Sequence, residues 1–412
     1  MKKKRYAIVG TSCRALLFYA EFMTKFHSDV CEIVGLCDIN KTRMRIFNQL
    51  LGKNIPAYTD FDEMIKETVP DIIIVTCKDA FHHEYIIRAL EKGCDVITEK
   101  PMTIDEKKCK MILDTEKKTG RKVTVTFNYR FIPYVTKIKE IIKSGFIGNI
   151  LSVDFHWYLD IRHGADYFRR WHRQKENSGG LLVHKATHHF DLINWYLEQE
   201  PEQVFAFGDL KFYGPTRKEK GERCLTCKYA KTCEFYFDIK ADPVMEKIYL
   251  DSEKEDNYYR DRCVFADEIN IEDTMSVIVR YEKGTLLSYS LNAFMPYEGW
   301  RMSLNGNKGR IDAEIIDNDP WNTNEKYNVI RIYPQFGNPN IINVPKVSTI
   351  DILGGHGGGD ARLMNMLVGK VDKDPLGHMA GSWSGAMSIL IGIAGNKSLK
   401  TGLPIKVKEL LK

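Results

Sequence analysis

Tyr6-Ala7-Ile8-Val9-Gly10-Thr11-Ser12-Cys13-Arg14-Ala15 runs from a short apolar stretch through a glycine into a segment of helical periodicity. Strand, glycine turn and helix in that order make the GxGxxG turn of a dinucleotide site, although here only the first glycine is present. Ser12 stands where the backbone approaches a pyrophosphate, and Ala15 where helix and strand pack closely. The pattern continues on either side. Apolar runs at 5–10, 32–37, 71–77 and 94–98 read as parallel strands, and 14–27, 41–51, 60–68, 80–92 and 105–119 read as helices. Their alternation predicts an α/β Rossmann domain with a parallel, doubly wound sheet over residues 1–124.

Beyond it the apolar period falls to two. Segments 150–159, 204–213, 275–281, 286–291, 300–305 and 309–316 read as strands, with helices at 133–143, 184–198, 360–369 and 382–400. These predict an α+β domain over 125–412 for substrate binding and dimerisation, with a large open, mainly antiparallel sheet and a Cys-rich insertion at about 214–265. Only one face of such a sheet is covered, so the other is expected to be apolar and to make a homo-oligomer, dimer or tetramer.

At 412 residues, two cores are expected. Apolar content of 43% with 28% charged residues is that of a globular chain, and no window suits a membrane span. The net charge of +5 is spread among interspersed acids and bases, which argues against nucleic acid. The Lys-rich start leads to no cleavage site, so the expected compartment is cytoplasmic.

The second strand ends at Asp38, placed to accept hydrogen bonds from ribose hydroxyls. A carboxylate there favours NAD, while Arg43 nearby leaves NADP open. Glu99-Lys100-Pro101 lies at the carboxyl end of another strand, where ligands bind in such sheets. Farther on, Ser178-Gly179-Gly180 precedes His184, His188, Asp191 and Trp195, which lie one above another on a helix and so share one face, a candidate active-site wall.

Over essentially its whole length the chain resembles the glucose-fructose oxidoreductase, inositol dehydrogenase and rhizopine-catabolism (Gfo/Idh/MocA) family. The matching pieces are Gly10 to Ala15, Asp38, 70–75, His82, Glu99-Lys100-Pro101, Asn128-Tyr129-Arg130, Gly179-Gly180 and His188 to Asp191. The resemblance implies hydride transfer between a nicotinamide and a secondary alcohol of a sugar, glycoside or cyclitol. Lys100 and His188 fall on the family's catalytic lysine and histidine. An imidazole suits removal of the hydroxyl proton, and an ammonium suits stabilisation of the alkoxide. One turn before the histidine the family carries an aspartate, where this chain has His184. That residue is expected either to bind substrate or to share a metal with His188.

The cofactor set is therefore Gly10, Thr11, Ser12, Cys13, Arg14, Ala15, Asp38, Arg43, Thr76, His82, Glu99, Lys100 and Asn128. Candidate substrate contacts are Tyr129, Arg130, His163, Trp171, His172, His184, His188 and His356, the last in a glycine-rich stretch suited to a closing loop. Cys224, Cys227, Cys233 and Cys263 offer four thiolates for a structural zinc, and an iron–sulfur cluster would use the same ligands. Two alternatives to a dehydrogenase with exchangeable NAD stand beside it. One is a redox-neutral glycosidase, lyase or epimerase with tightly bound NAD, the other a non-catalytic sensor.

Overall fold

The computed structural model describes residues 3–318, 320–321, 325–346, 356–371 and 373–412. Strands β1 (Lys4–Val9), β2 (Cys31–Cys37), β3 (Ala57–Tyr58), β4 (Ile72–Val75), β5 (Asp95–Thr98) and β6 (Val123–Val125) pair in the order β6-β5-β4-β1-β2-β3, all parallel. The order reverses between β1 and β4, which opens a crevice at their carboxyl ends. Ile73, Ile74 and Val75 are wholly buried because helices cover both faces. The expected boundary at 124 falls inside β6.

The second sheet follows as β7 (Ile150–Asp160), β8 (Pro201–Asp209), β9 (Thr274–Tyr281), β10 (Leu286–Met295), β11 (Glu298–Gly306), β12 (Gly309–Asn318), β13 (Tyr327–Pro334) and β14 (Asn340–Pro345). Two-residue strands β15 (Ala380–Gly381) and β16 (Ile405–Lys406) complete the set, and β15 pairs antiparallel to β6 at the edge of the first sheet. The second sheet runs β14-β13-β12-β11-β7-β10-β9-β8-β16. Among the described residues only β7 and β10 of this sheet pair in parallel, so it is mixed and predominantly antiparallel.

Its inner face, with Phe155, Trp157, Val277, Tyr289 and Trp300, packs on helices Thr187–Leu197 and Ser382–Thr401. The opposite face is not the apolar surface expected. His156 bonds to Ser290 at 2.9 Å, Asn305 donates to Ser152 at 3.0 Å and to Asp154 at 3.1 Å, and Ser303 donates to Asp312 at 2.7 Å. Leu151, Ile278 and Leu286 are exposed among these polar groups. The open face is therefore mixed, polar over most of its area with Phe207 exposed beside Phe205 and Ile278 on β8 and β9. Among the described residues no helix is long and apolar enough to cross a membrane.

Candidate active site

A cleft of about 570 Å³ opens above the carboxyl ends of β1, β2, β4 and β5. Its floor is the glycine turn. Gly10 takes φ +88°, and a Cβ there would stand 2.7 Å from Cys77 N, so only glycine lets the turn lie against the end of β4. Thr76 fixes the turn by donating its hydroxyl to the Val9 and Gly10 carbonyls at 3.0 and 2.7 Å. Asp38 holds it from β2, accepting from the Thr11 amide at 2.7 Å, the Thr11 hydroxyl at 2.8 Å and the Asn40 amide at 3.0 Å.

Other members of the expected cofactor set serve the protein itself. Ser12 accepts the Ala15 amide at 3.3 Å, and Ala15 is buried in the core. Cys13 does not line the cleft, and its amide donates to Tyr249 at 3.2 Å. Arg14 binds Glu99 at 2.9 Å and Asp360 at 3.0 and 3.2 Å, with its guanidinium over Phe18. Arg43 lies 3.7 Å from Asp38 and 2.7 Å from Asp256. Both arginines are thus neutralised by carboxylates. His82 is buried between the carbonyls of Pro101, at 2.9 Å, and Cys77, at 3.1 Å, and supports the loops that carry Lys100 and Asp79. The cleft nevertheless fits a dinucleotide. It has a glycine at the close approach of the turn, a helix N-terminus beyond it, and a volume within the roughly 300–1,000 Å³ usual for such ligands. Asn128 Oδ1 and His172 Nδ1, on residues that line it, are buried without hydrogen-bond partners among the described residues.

The far end of the cleft, where Lys100, His184 and His188 meet, is shaped by a break in a helix. Helix Leu181–His184 stops, and helix Thr187–Leu197 begins after two intervening residues. Helix Ser382–Thr401 comes so close that a Cβ on Gly392 would meet Leu182 O at 2.2 Å. Across the break the hydrogen-bond ladder slips: Ala186 N–H donates to Leu181 O at 2.8 Å and His188 N–H to Lys185 O at 3.3 Å. The His184 carbonyl, which a continuous helix would offer to the amide of residue 188, is left for Lys100, whose Nζ donates to it at 3.1 Å. Lys100 Nζ is also 3.4 Å from His184 Nε2, and His184 Nδ1 is 2.5 Å from Asp79 Oδ2.

Asp79, His184 and Lys100 therefore form one buried chain. Burial pushes the Asp79 carboxyl up, and the Lys100 charge pulls it back. Burial and the neighbouring Lys100 push the His184 imidazole well down. Burial brings Lys100 down to about 8, against the opposing pull of Asp79. The arrangement that satisfies every contact is a carboxylate at Asp79, a neutral His184 donating from Nδ1, and an ammonium at Lys100 facing Nε2. Neither His184 nitrogen is then left for a metal, so His184 and His188 do not share one.

His188 lines the same cleft, 4% exposed, with its ring 4.8 Å from that of Tyr129. Trp171, His172 and His163 line it too. Burial, and secondarily Arg170, keep the His172 imidazole well below its usual range. Four expectations are corrected. Tyr129 lies outside the cleft lining and backs His188. Arg130 is buried against Asp191, donating at 2.6 and 2.7 Å, and cannot touch substrate. Asp191 and Trp195 accordingly do not share a wall with the histidines, and Trp195 donates to Leu376 O at 2.8 Å. Gly354 and Gly355 lie outside the described residues, as does the side chain of His356.

The cleft also contains residues that sequence reading missed. Asp79 follows β4 by four residues, a strand-end position that could have identified it. Arg170, Lys185, Tyr249, Asp256 and Tyr258 line the cleft with no local motif to mark them. The four cysteines border one small void in the insertion, and none forms a disulfide. A tetrahedral zinc shell would place its sulfurs about 3.8 Å apart. Among the described residues, however, the only group with three ligand atoms mutually within 4.8 Å is Asp160, His163 and Glu298. The cysteines thus do not close a ligand set, and no metal is assigned to them. The other trio is engaged internally: Asp160 caps helix Ile161–Arg169, and Glu298 faces His163 and Lys185.

Comparison with known proteins agrees with this geometry. Residues 4–127 match the oxidoreductase family's NAD-binding Rossmann fold, and residues 139–407 match its C-terminal alpha/beta domain. "Putative oxidoreductase YteT" of Bacillus subtilis (strain 168) is 39% identical over 99% of this chain and 98% of its own length. Glucose-6-phosphate 3-dehydrogenase of the same organism is 30% identical over 50% of this chain and 64% of its own. The fold is also that of the WlbA dehydrogenase from Bordetella pertussis, solved with NADH and UDP-GlcNAcA. Its TM-score is 0.66 at 17% identity, covering 98% of this chain and 99% of that one. With both domains matched and the dinucleotide cleft formed as described, the chain belongs to the Gfo/Idh/MocA family of NAD(P)-dependent oxidoreductases.

Proposed function

We propose that the protein transfers hydride between NAD and a secondary alcohol of a sugar, glycoside or cyclitol, with Lys100 and His188 as its catalytic residues. The observation that carries this reading is the broken helix, which frees a carbonyl to hold Lys100 in the cleft that His188 also lines. Relatives named as sugar and inositol dehydrogenases support the substrate class. When bound, the nicotinamide supplies the hydride acceptor or donor. Removing a hydride from a carbinol carbon requires loss of the hydroxyl proton, which His188 takes on Nε2. The Lys100 ammonium holds the same oxygen and stabilises its negative charge. His184, fixed by Asp79, keeps that ammonium aimed. His172 and Trp171 give the sugar a polar and an apolar wall.

Arg43 is already shared between Asp38 and Asp256, so a 2′-phosphate would meet two carboxylates beside it. A panel of sugars, glycosides and inositols assayed with both cofactors tests the reading. NAD is expected to be preferred by at least about tenfold in kcat/KM. Failure of every polyol to reduce or oxidise either cofactor would reject the dehydrogenase.

The alkaline limb of kcat/KM is expected near pH 8, because the reaction needs the Lys100 ammonium and that group loses its proton there. Asp79 is the carboxylate that holds Lys100 up, so Asp79→Asn is expected to move the limb to lower pH. A limb that stays in place in this variant would show that Asp79 does not act through Lys100.

The redox-neutral alternative draws on a specific observation, the insertion that lines the cofactor end of the cleft. Turnover with bound NAD and without net release of NADH would select it.

A further inference from the structure

The insertion at 214–265 packs against the Rossmann domain and not only against its own sheet. Ile239, Ile248 and Tyr249 share a buried core with Ile8, Leu16, Met44 and Phe47. Its polar contacts gather on the loop and helix that flank the crevice. Asn40 donates to Ser252 O at 2.9 Å in a buried contact, and Arg43 Nε donates to Ile248 O at 3.2 Å. Glu255 accepts the Lys41 and Thr42 amides at 2.9 and 2.8 Å, and Asn40 accepts the Arg43 amide at 2.8 Å. The orphan amides at the start of helix Lys41–Leu51 are thus capped largely by the insertion.

The segment is braced from behind. Arg223 grips Glu253 at 2.8 and 2.9 Å and Asp261 at 2.9 Å, while Arg260 meets Asp166 at 2.5 Å. The placement of Tyr249 is the most telling. Its oxygen accepts the Cys13 amide, one of the helix N-terminal donors that a pyrophosphate normally meets. Accepting that amide leaves the hydroxyl's own proton to donate to a phosphate oxygen. Asp256 and Tyr258 line the same side of the cleft.

We infer that residues 246–260 are a clasp built into the dinucleotide site, with Tyr249 relaying the Cys13 amide to the pyrophosphate and Glu255 latching the segment to the Rossmann helix, so that the cofactor is retained between turnovers. This rests on the reading of the cleft as a dinucleotide site. Bound NADH, followed by its fluorescence, is chased with excess NAD in wild type, Tyr249→Phe and Glu255→Ala. Tyr249→Phe removes only a hydroxyl, and Glu255→Ala only a cap at the surface, so neither threatens the fold. Each is expected to speed release by about tenfold, the effect of losing one to two hydrogen bonds. If no chain binds NADH, the dinucleotide reading fails and the clasp with it. If wild type binds and both variants release at the wild-type rate, the cleft reading stands and the clasp is overturned.

Discussion

Lys100→Met is expected to lower kcat by about 10²–10³-fold, the usual loss when a preorganised group facing a developing oxyanion is removed. NAD should still bind, since the glycine turn, Asp38 and Thr76 do not depend on Lys100 for their hydrogen bonds. The substitution should not weaken the fold. A lysine brought down to about 8 is less stable as an ammonium in the native chain than in the unfolded one. Between that value and the unfolded one, the unfolded state binds more protons. This lysine's contribution therefore becomes less unfavourable as pH rises through that window and is fully unfavourable below it. At neutral pH methionine removes that cost, so Tm is expected to hold or rise while turnover collapses. Equal kcat in the variant would remove Lys100 from the chemistry, and loss of both activity and Tm would mark it as structural.

His188→Gln is expected to lower kcat by about 10²–10⁴-fold, the range for loss of a general base. Glutamine keeps polar atoms beside Tyr129 but cannot accept the hydroxyl proton near neutral pH. KM for the polyol should change far less than kcat, because the proton is transferred only as the hydride leaves. His184→Gln separates the two imidazoles. His184 sits between Asp79 and Lys100, so its loss should shift the pH profile as Asp79→Asn does, whereas His188→Gln lowers the whole profile. A profile shift without loss of rate in His188→Gln would exchange the roles proposed for the two residues.

Long, strongly periodic segments were legible in the sequence. Helix Lys41–Leu51 occupies the residues its pattern indicated, and so does helix Pro133–Lys143. Short strands were not: β3 and β15 have two residues each, too few to show a period, and exist because longer strands offer them an edge. The spacing of His184 and His188 indicates one helical face, and the structure breaks the helix between the two histidines. Beside that break Gly392, some two hundred residues later, lets helix Ser382–Thr401 press on Leu182. Arg130 had the look of a ligand contact, yet its bidentate partner Asp191 lies across the core.

By itself the sequence determined the two-domain order, the glycine turn, the acidic end of β2, and the presence of a lysine at a strand end and a histidine on a helix. These are local matters, set by backbone sterics and apolar period over a few residues. Only the tertiary structure decided which charges are free. Arg14 and Arg43 are spent on carboxylates, Asp79 joins the site, and a distant insertion walls the cofactor end. Pairing and burial are relations between residues far apart in the chain, and no single stretch of it contains them.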